Sequence, residues 1–213
     1  MPARWAGVHS LLDSPWPGDY KTDVKRRWLW LLAVLFLVDG VFSAWWWWTR
    51  RLEHRQDAPV LAAARRYNVH PALVKAIVWR ESRFHPDARG RAGEIGLMQI
   101  TDMAAHEWVD AEKSPSFAIE HLFDPATNTL AGAWYLRKLL GRYRNTDDPV
   151  PSALADYNAG RSNVLRWNKD AGATNSAAFL SQMDFPGTRQ YVESVMQRFA
   201  HYRSIFPPPA GAE

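Results

Sequence analysis

Ala76-Ile77-Val78-Trp79-Arg80-Glu81-Ser82-Arg83-Phe84 and, one loop later, Gly93-Glu94-Ile95-Gly96-Leu97-Met98-Gln99-Ile100 decide how this chain is read. Pro71 is a favourable first helical residue, with His70 before it, so the spacing predicts a helix from there. Leu73, Val74, Ile77 and Val78 form an apolar stripe at helical offsets, and the next position on that stripe is Glu81. A carboxylate is therefore expected on the buried face of a helix, near its C-terminal end. Burial disfavours its charged form. The negative end of the helix dipole disfavours it again. An unperturbed Glu titrates near ~4.3, so this placement is one way to keep a general acid protonated at neutral pH. The same residues also allow a structural ion pair of Glu81 with Arg80 or Arg83.

The second stretch favours the acid. Gly93 and Gly96 bracket a tight segment where backbone can approach a ligand closely. Leu97 to Ile100 then mixes apolar groups with one amide. Further on, Asp156-Tyr157-Asn158-Ala159-Gly160 sets an aromatic and an amide before a helix-ending glycine. Aromatic faces and amides suit sugar recognition, by stacking and by hydrogen bonds to hydroxyl and N-acetyl groups. In this order, Glu-Ser, Gly-x-x-Gly-Leu-Met-Gln and Tyr-Asn-Ala-Gly resemble the soluble-lytic-transglycosylase-like family of the lysozyme superfamily. Asn68 to Val74, Phe123-Asp124-Pro125 with Asn128, Gly132 and Tyr135, and Thr188 to Val192 extend the resemblance from about Pro59 to Phe206.

The resemblance implies a mainly α, lysozyme-like domain with one small β element, and an enzyme that needs no metal or cofactor. It implies cleavage of the β-1,4 bond between N-acetylmuramic acid and N-acetylglucosamine in peptidoglycan. Glu81 would protonate the glycosidic oxygen, then act as base toward the sugar's own C6 hydroxyl, leaving a 1,6-anhydro end. A tethered nucleophile removes the need for a second carboxylate. Ser82, Met98, Gln99, Tyr157, Asn158 and Tyr191 are expected to line the sugar site. Four of them have a structural alternative: a helix-end hydroxyl for Ser82, a core filler for Met98, a turn residue for Asn158 and a core tyrosine for Tyr191. Two positions depart from the family pattern. Gly90 stands where a Ser is common, and Glu94 where an Ala is common. Glu94 reads as a solvated surface charge, or as a second acid that would suggest hydrolysis. A goose-type muramidase and a non-catalytic wall-binding scaffold are the rival functions.

The rest of the chain sets the context. It has 213 residues, net charge +4, no Cys and 12 Trp. The absence of Cys excludes a disulfide framework and decides nothing about compartment. The basic charge fits acidic membranes or cell-wall carboxylates, and no nucleic-acid motif is present. The histidines, His70, His85, His106 and His121 among them, lack metal-ligand spacing. Residues 1–27 read as a polar tail, and its first twenty or so residues as disordered. Residues 28–48 read as a transmembrane helix, roughly 30 Å long and flanked by tryptophans at both ends. Residues 49–57 read as a charged connector, 58–206 as the catalytic domain and 207–213 as a disordered tail. A cleaved signal peptide is the alternative to an anchor; the long preceding tail and the lack of an Ala-x-Ala site oppose it. Asp39, inside the span, either contacts another membrane protein or sits protonated in an otherwise apolar helix. Lys21, Lys25, Arg26 and Arg27 barely outnumber Arg50, Arg51 and Arg55, so charge does not set the orientation. The resemblance does: a single-pass protein of the bacterial inner membrane, with its catalytic domain in the periplasm.

Overall fold

The computed structural model describes residues 20–113 and 116–206. The expected N-terminal disorder and the 207–213 tail lie outside the described residues. The chain divides after Thr49 into two units.

The described part of the first unit is helical. Helix α1 runs Tyr20–Arg55, so the apolar run is part of a longer helix and most of the expected connector is helical as well. An 18-residue window has a mean hydropathy of 1.9, and none of that window is buried. Trp28, Trp30, Leu37 and Phe42 are all more than half exposed. A helix with apolar side chains facing outward in this way is long and apolar enough to cross a bilayer.

The second unit is built of α2 (Asp57–Tyr67), α3 (Pro71–Ser82), α4 (Asp102–Glu112), α5 (Pro125–Arg142), α6 (Pro149–Ala159), α7 (Arg161–Trp167), α8 (Ser176–Gln182) and α9 (Pro186–Ile205). Short 3₁₀ turns lie at Ile119–Phe123 and Asp170–Ala173. Local chemistry sets the boundaries. His70 caps α3 by accepting the Ala72 N–H, with Pro71 at the first helical position. Thr101, Asp124 and Asn175 cap α4, α5 and α8 in the same way. Asn68, in the left-handed region, ends α2.

Helix α3 is the axis of the domain. Residues 71–78 are buried on every face rather than along one stripe, because α2, α5 and α9 all pack on it. Lys75 is buried too, at 2% exposure. Its Nζ lies 2.6 Å from Asp57 Oδ1 and 4.4 Å from the ring centre of Phe206, so the charge is paired and faces an aromatic ring. Helices α5 and α6 pack together, and α6 packs on α9. The expected small β element is reduced to two isolated antiparallel bridges, Arg89 with Ile95 and Ile95 with Ile100. No strand forms among the described residues.

Candidate active site

Glu81 is the penultimate residue of α3. Its carboxyl is half-buried at the edge of a cleft of about 300 Å³, lined also by Gly90, Arg91, Glu94, Gln99, Thr101, Tyr157 and Asn158. Burial pushes the Glu81 carboxyl up from its ordinary value near 4.5 to about 7. The hydrogen bond from Tyr191 and the charge of Arg80 oppose the rise, whereas the charge of Glu94 adds to it. Glu81 makes no ion pair with Arg80 or Arg83 among the described residues. Arg80 instead donates to Ser194 Oγ at 3.1 Å, with its guanidinium 5.2 Å from the Tyr191 ring centre. The guanidinium of Arg83 stacks 3.6 Å over Trp79.

Tyr191, on α9, donates its hydroxyl to Glu81 Oε1 at 2.6 Å. Burial raises the Tyr191 pKa well above the usual phenol value, so the group stays a donor. Tyr157, at the end of α6, donates to the Met98 carbonyl at 2.7 Å and bears no bond to Glu81. Its ring packs edge-on to Tyr135, centroids 5.6 Å apart. Tyr157 thus ties the cleft wall to the loop below it.

That loop is held from beneath by one side chain. Asn128 of α5 is fully buried. Its Oδ1 accepts the Met98 N–H at 2.8 Å, and its Nδ2 donates to the carbonyls of Ile95 and Leu122, each at 2.8 Å. Gly96 has φ +79°, and a Cβ there would overlap Asn128; positive φ and close approach both require glycine. Gln99 adopts φ +48°, a conformation costly for a non-glycine residue. Its Nε2 donates to the carbonyls of Ala88 and Gly96 at 3.1 and 2.9 Å, which holds the strained turn.

Of the residues expected from sequence, the structure brings Glu81, Gln99, Tyr157 and Asn158 to one cleft, with Tyr191 bonded to Glu81 from behind. Two are placed elsewhere. Ser82 is buried and donates to the Val78 carbonyl at 3.1 Å, a helix-end bond that uses its hydroxyl. The Met98 side chain is fully buried and packed against Gly132, where a Cβ would overlap its sulfur; only its backbone serves the site. Glu94 stands in the cleft wall instead of on an open surface. Arg91 and Thr101 also line the cleft and were missed. Thr101 is also the cap of α4, accepting the Ala104 N–H at 3.2 Å.

One half-buried acid at a helix end, backed by a tyrosine and facing a polar cleft, defines a lysozyme-like helical domain. The sequence model of the Transglycosylase SLT domain matches residues 58–180, more than half of the sequence, and the chain belongs to that family. Among solved structures it is similar to an inactive mutant of the lytic transglycosylase Slt from Pseudomonas aeruginosa, at 29% identity and TM-score 0.64, covering 71% of this chain and 25% of that one. It is similar to the 70 kDa soluble lytic transglycosylase SLT70 from Escherichia coli, at 29% identity and TM-score 0.61, covering 70% and 24%. A complex of the 70-kDa soluble lytic transglycosylase with bulgecin A matches at 28% identity and TM-score 0.64, covering 74% and 26%. The chain spans about a quarter of the length of these structures.

Proposed function

We propose that this chain cleaves the β-1,4 bond between N-acetylmuramic acid and N-acetylglucosamine in peptidoglycan, leaving 1,6-anhydro-muramoyl ends. The observation that carries the reading is the Glu81 carboxyl, raised to about 7 by burial at the edge of a sugar-sized cleft. A carboxyl with that pKa holds its proton at neutral pH yet can release it, as a general acid must. The proton passes from Glu81 to the glycosidic oxygen as the C1–O bond breaks, and the bonding pair leaves with that oxygen. The C6 hydroxyl oxygen then bonds to C1, and its proton returns to Glu81. Tyr191 steadies the carboxylate between the two transfers by donating to Oε1. Tyr157, Asn158, Gln99 and Thr101 offer an aromatic face, amides and a hydroxyl to the sugar.

In this reading α1 anchors the protein in the inner membrane in a single pass, with the domain in the periplasm. The partners are peptidoglycan strands and the bilayer. Membership of the family and the similarity to lytic transglycosylases support the reaction class.

The test is the mass of the products. Purified full-length protein, in detergent micelles, is incubated with purified peptidoglycan. Muramoyl ends lighter by one water than hydrolysed ends are expected, and Glu81→Gln should lose cleavage by about 10²-fold or more. Reducing ends from the wild type would refute the anhydro product. Full activity in Glu81→Gln would refute the catalytic assignment.

A further inference from the structure

The cleft contains a second carboxylate, and a missing side chain makes its seat. A methyl group built on Gly90 would overlap Glu94 Oε2. It would also come within 2.8 Å of Glu94 Cδ and of Gln99 Oε1. Gly90 is not among the described glycines with positive φ, which are Gly93, Gly96 and Gly160. Glycine at 90 therefore provides space, not backbone freedom. One bond to the carboxylate and one backbone bond hold this turn. Glu94 Oε2 accepts the Ala92 N–H at 3.0 Å, and the Glu94 carbonyl accepts the Gly90 N–H at 2.8 Å. The seated group lines the same cleft as Glu81. A carboxylate offers negative charge and acceptor oxygens, but no donor.

Breaking a glycosidic bond builds positive charge on the sugar ring. A fixed negative charge in the same cleft stabilises that state without having to reorganise. We propose that Glu94, seated by Gly90, is a second catalytic carboxylate of this cleft, stabilising positive charge on the sugar ring while Glu81 delivers the proton. The idea rests on the glycan-cleaving function above. The proton balance of that reaction is unchanged: Glu81 gives a proton to the leaving oxygen and regains one from the C6 hydroxyl, and Glu94 exchanges none. A side chain at 90 and the Glu94 carboxylate cannot share this space.

The experiment measures kcat and KM on soluble glycan strands across pH, with the full-length protein. Glu94→Gln keeps the size and the acceptor for the Ala92 N–H and removes the charge. It should lower kcat about tenfold or more, with KM changed by less than about twofold. The groups acting on Glu81 are Arg80 on α3, Tyr191 on α9 and Glu94 itself, with Tyr157 of α6 and Arg91 in the same cleft. Loss of the Glu94 charge should therefore move the alkaline limb of the rate to lower pH. Gly90→Ala should reproduce most of the loss by displacing the carboxylate. In a Glu94→Ala background, Gly90→Ala should add nothing further. Unchanged kcat and pH limb in Glu94→Gln would overturn the proposal, as would Gly90 and Glu94 effects that simply multiply. Wild-type reducing ends that vanish in Glu94→Gln would also overturn it, because Glu94 would then be a base acting on water. Inactivity of the wild type, or full activity of Glu81→Gln, would instead sink the function on which the proposal rests.

Discussion

Replacing Glu81 by Gln should stabilise the protein, and only above a definite pH. Burial raises the Glu81 carboxyl from near 4.5 to about 7. Between those values the unfolded chain carries an ionised Glu while the folded chain still holds the proton. The folded state binds more protons, so stability falls as pH rises, and the loss is complete above 7. A rise of this size corresponds to roughly 3 kcal/mol. Gln resembles the protonated acid in shape, and its Oε1 can still accept the Tyr191 hydroxyl. It cannot ionise. The variant and the wild type should therefore be equally stable near pH 4.5. Glu81→Gln should then gain, reaching about 3 kcal/mol by pH 8. All other titrating groups are common to both proteins and cancel. Urea unfolding of both proteins at several pH values, in the same detergent, gives the difference directly. A difference that does not change with pH would show that Glu81 is not held protonated by the fold. A variant less stable at every pH would show that the carboxylate is a structural partner.

Three further outcomes are expected. Tyr191→Phe removes the hydrogen bond that favours the ionised carboxyl, so the alkaline limb of glycan cleavage should move to higher pH; a shift to lower pH, read from the rate profile, would contradict the geometry. Asn128→Ala removes the bonds to the Met98 N–H and the Leu122 carbonyl, whereas the Ile95 carbonyl keeps the Ile100 N–H. At about 1–3 kcal/mol per buried unsatisfied group, urea unfolding should show a loss of at least about 2 kcal/mol; a loss below about 1 kcal/mol would mean the loop holds itself. The full chain should fractionate with membranes at its complete mass of 24.4 kDa; a soluble species starting near Ala44 would show that the N-terminal segment is cleaved.

The helices were legible in the sequence because their boundaries are local. Pro71 announces a start through its own chemistry, and the structure begins α3 there; Thr101, Asp124 and Asp148 cap their helices by equally local bonds. Glu81 was legible because an apolar stripe at helical offsets leads directly to it, although the structure buries residues 71–78 on every face. What sequence could not show was the direction of side chains on irregular backbone. Residues 93–100 have no period, so Met98 and Gln99 look equivalent as neighbours; the fold sends one into the core against Gly132 and the other to the cleft. Ser82 looked like a site hydroxyl because the motif places it beside the acid, yet helical geometry returns it to Val78. Glu94 looked like a surface charge because the space at Gly90 exists only once the loop has folded. Asn128 was visible as part of a motif, but its three bonds join segments far apart in sequence.

The bond between Tyr191 and Glu81 spans 110 residues, and that separation dictates when the acid site is completed during synthesis. At translation rates of about 5–20 residues per second, the hydroxyl that holds the carboxyl emerges roughly 5–20 seconds after Glu81. Helix α9, which bears it, is also what packs along α3 and closes that side of the domain. Until the last helix arrives, a nascent chain lacks both the Tyr191 hydroxyl and the helix that covers this side of α3. Under the function proposed above, an incomplete copy therefore lacks the assembled acid site.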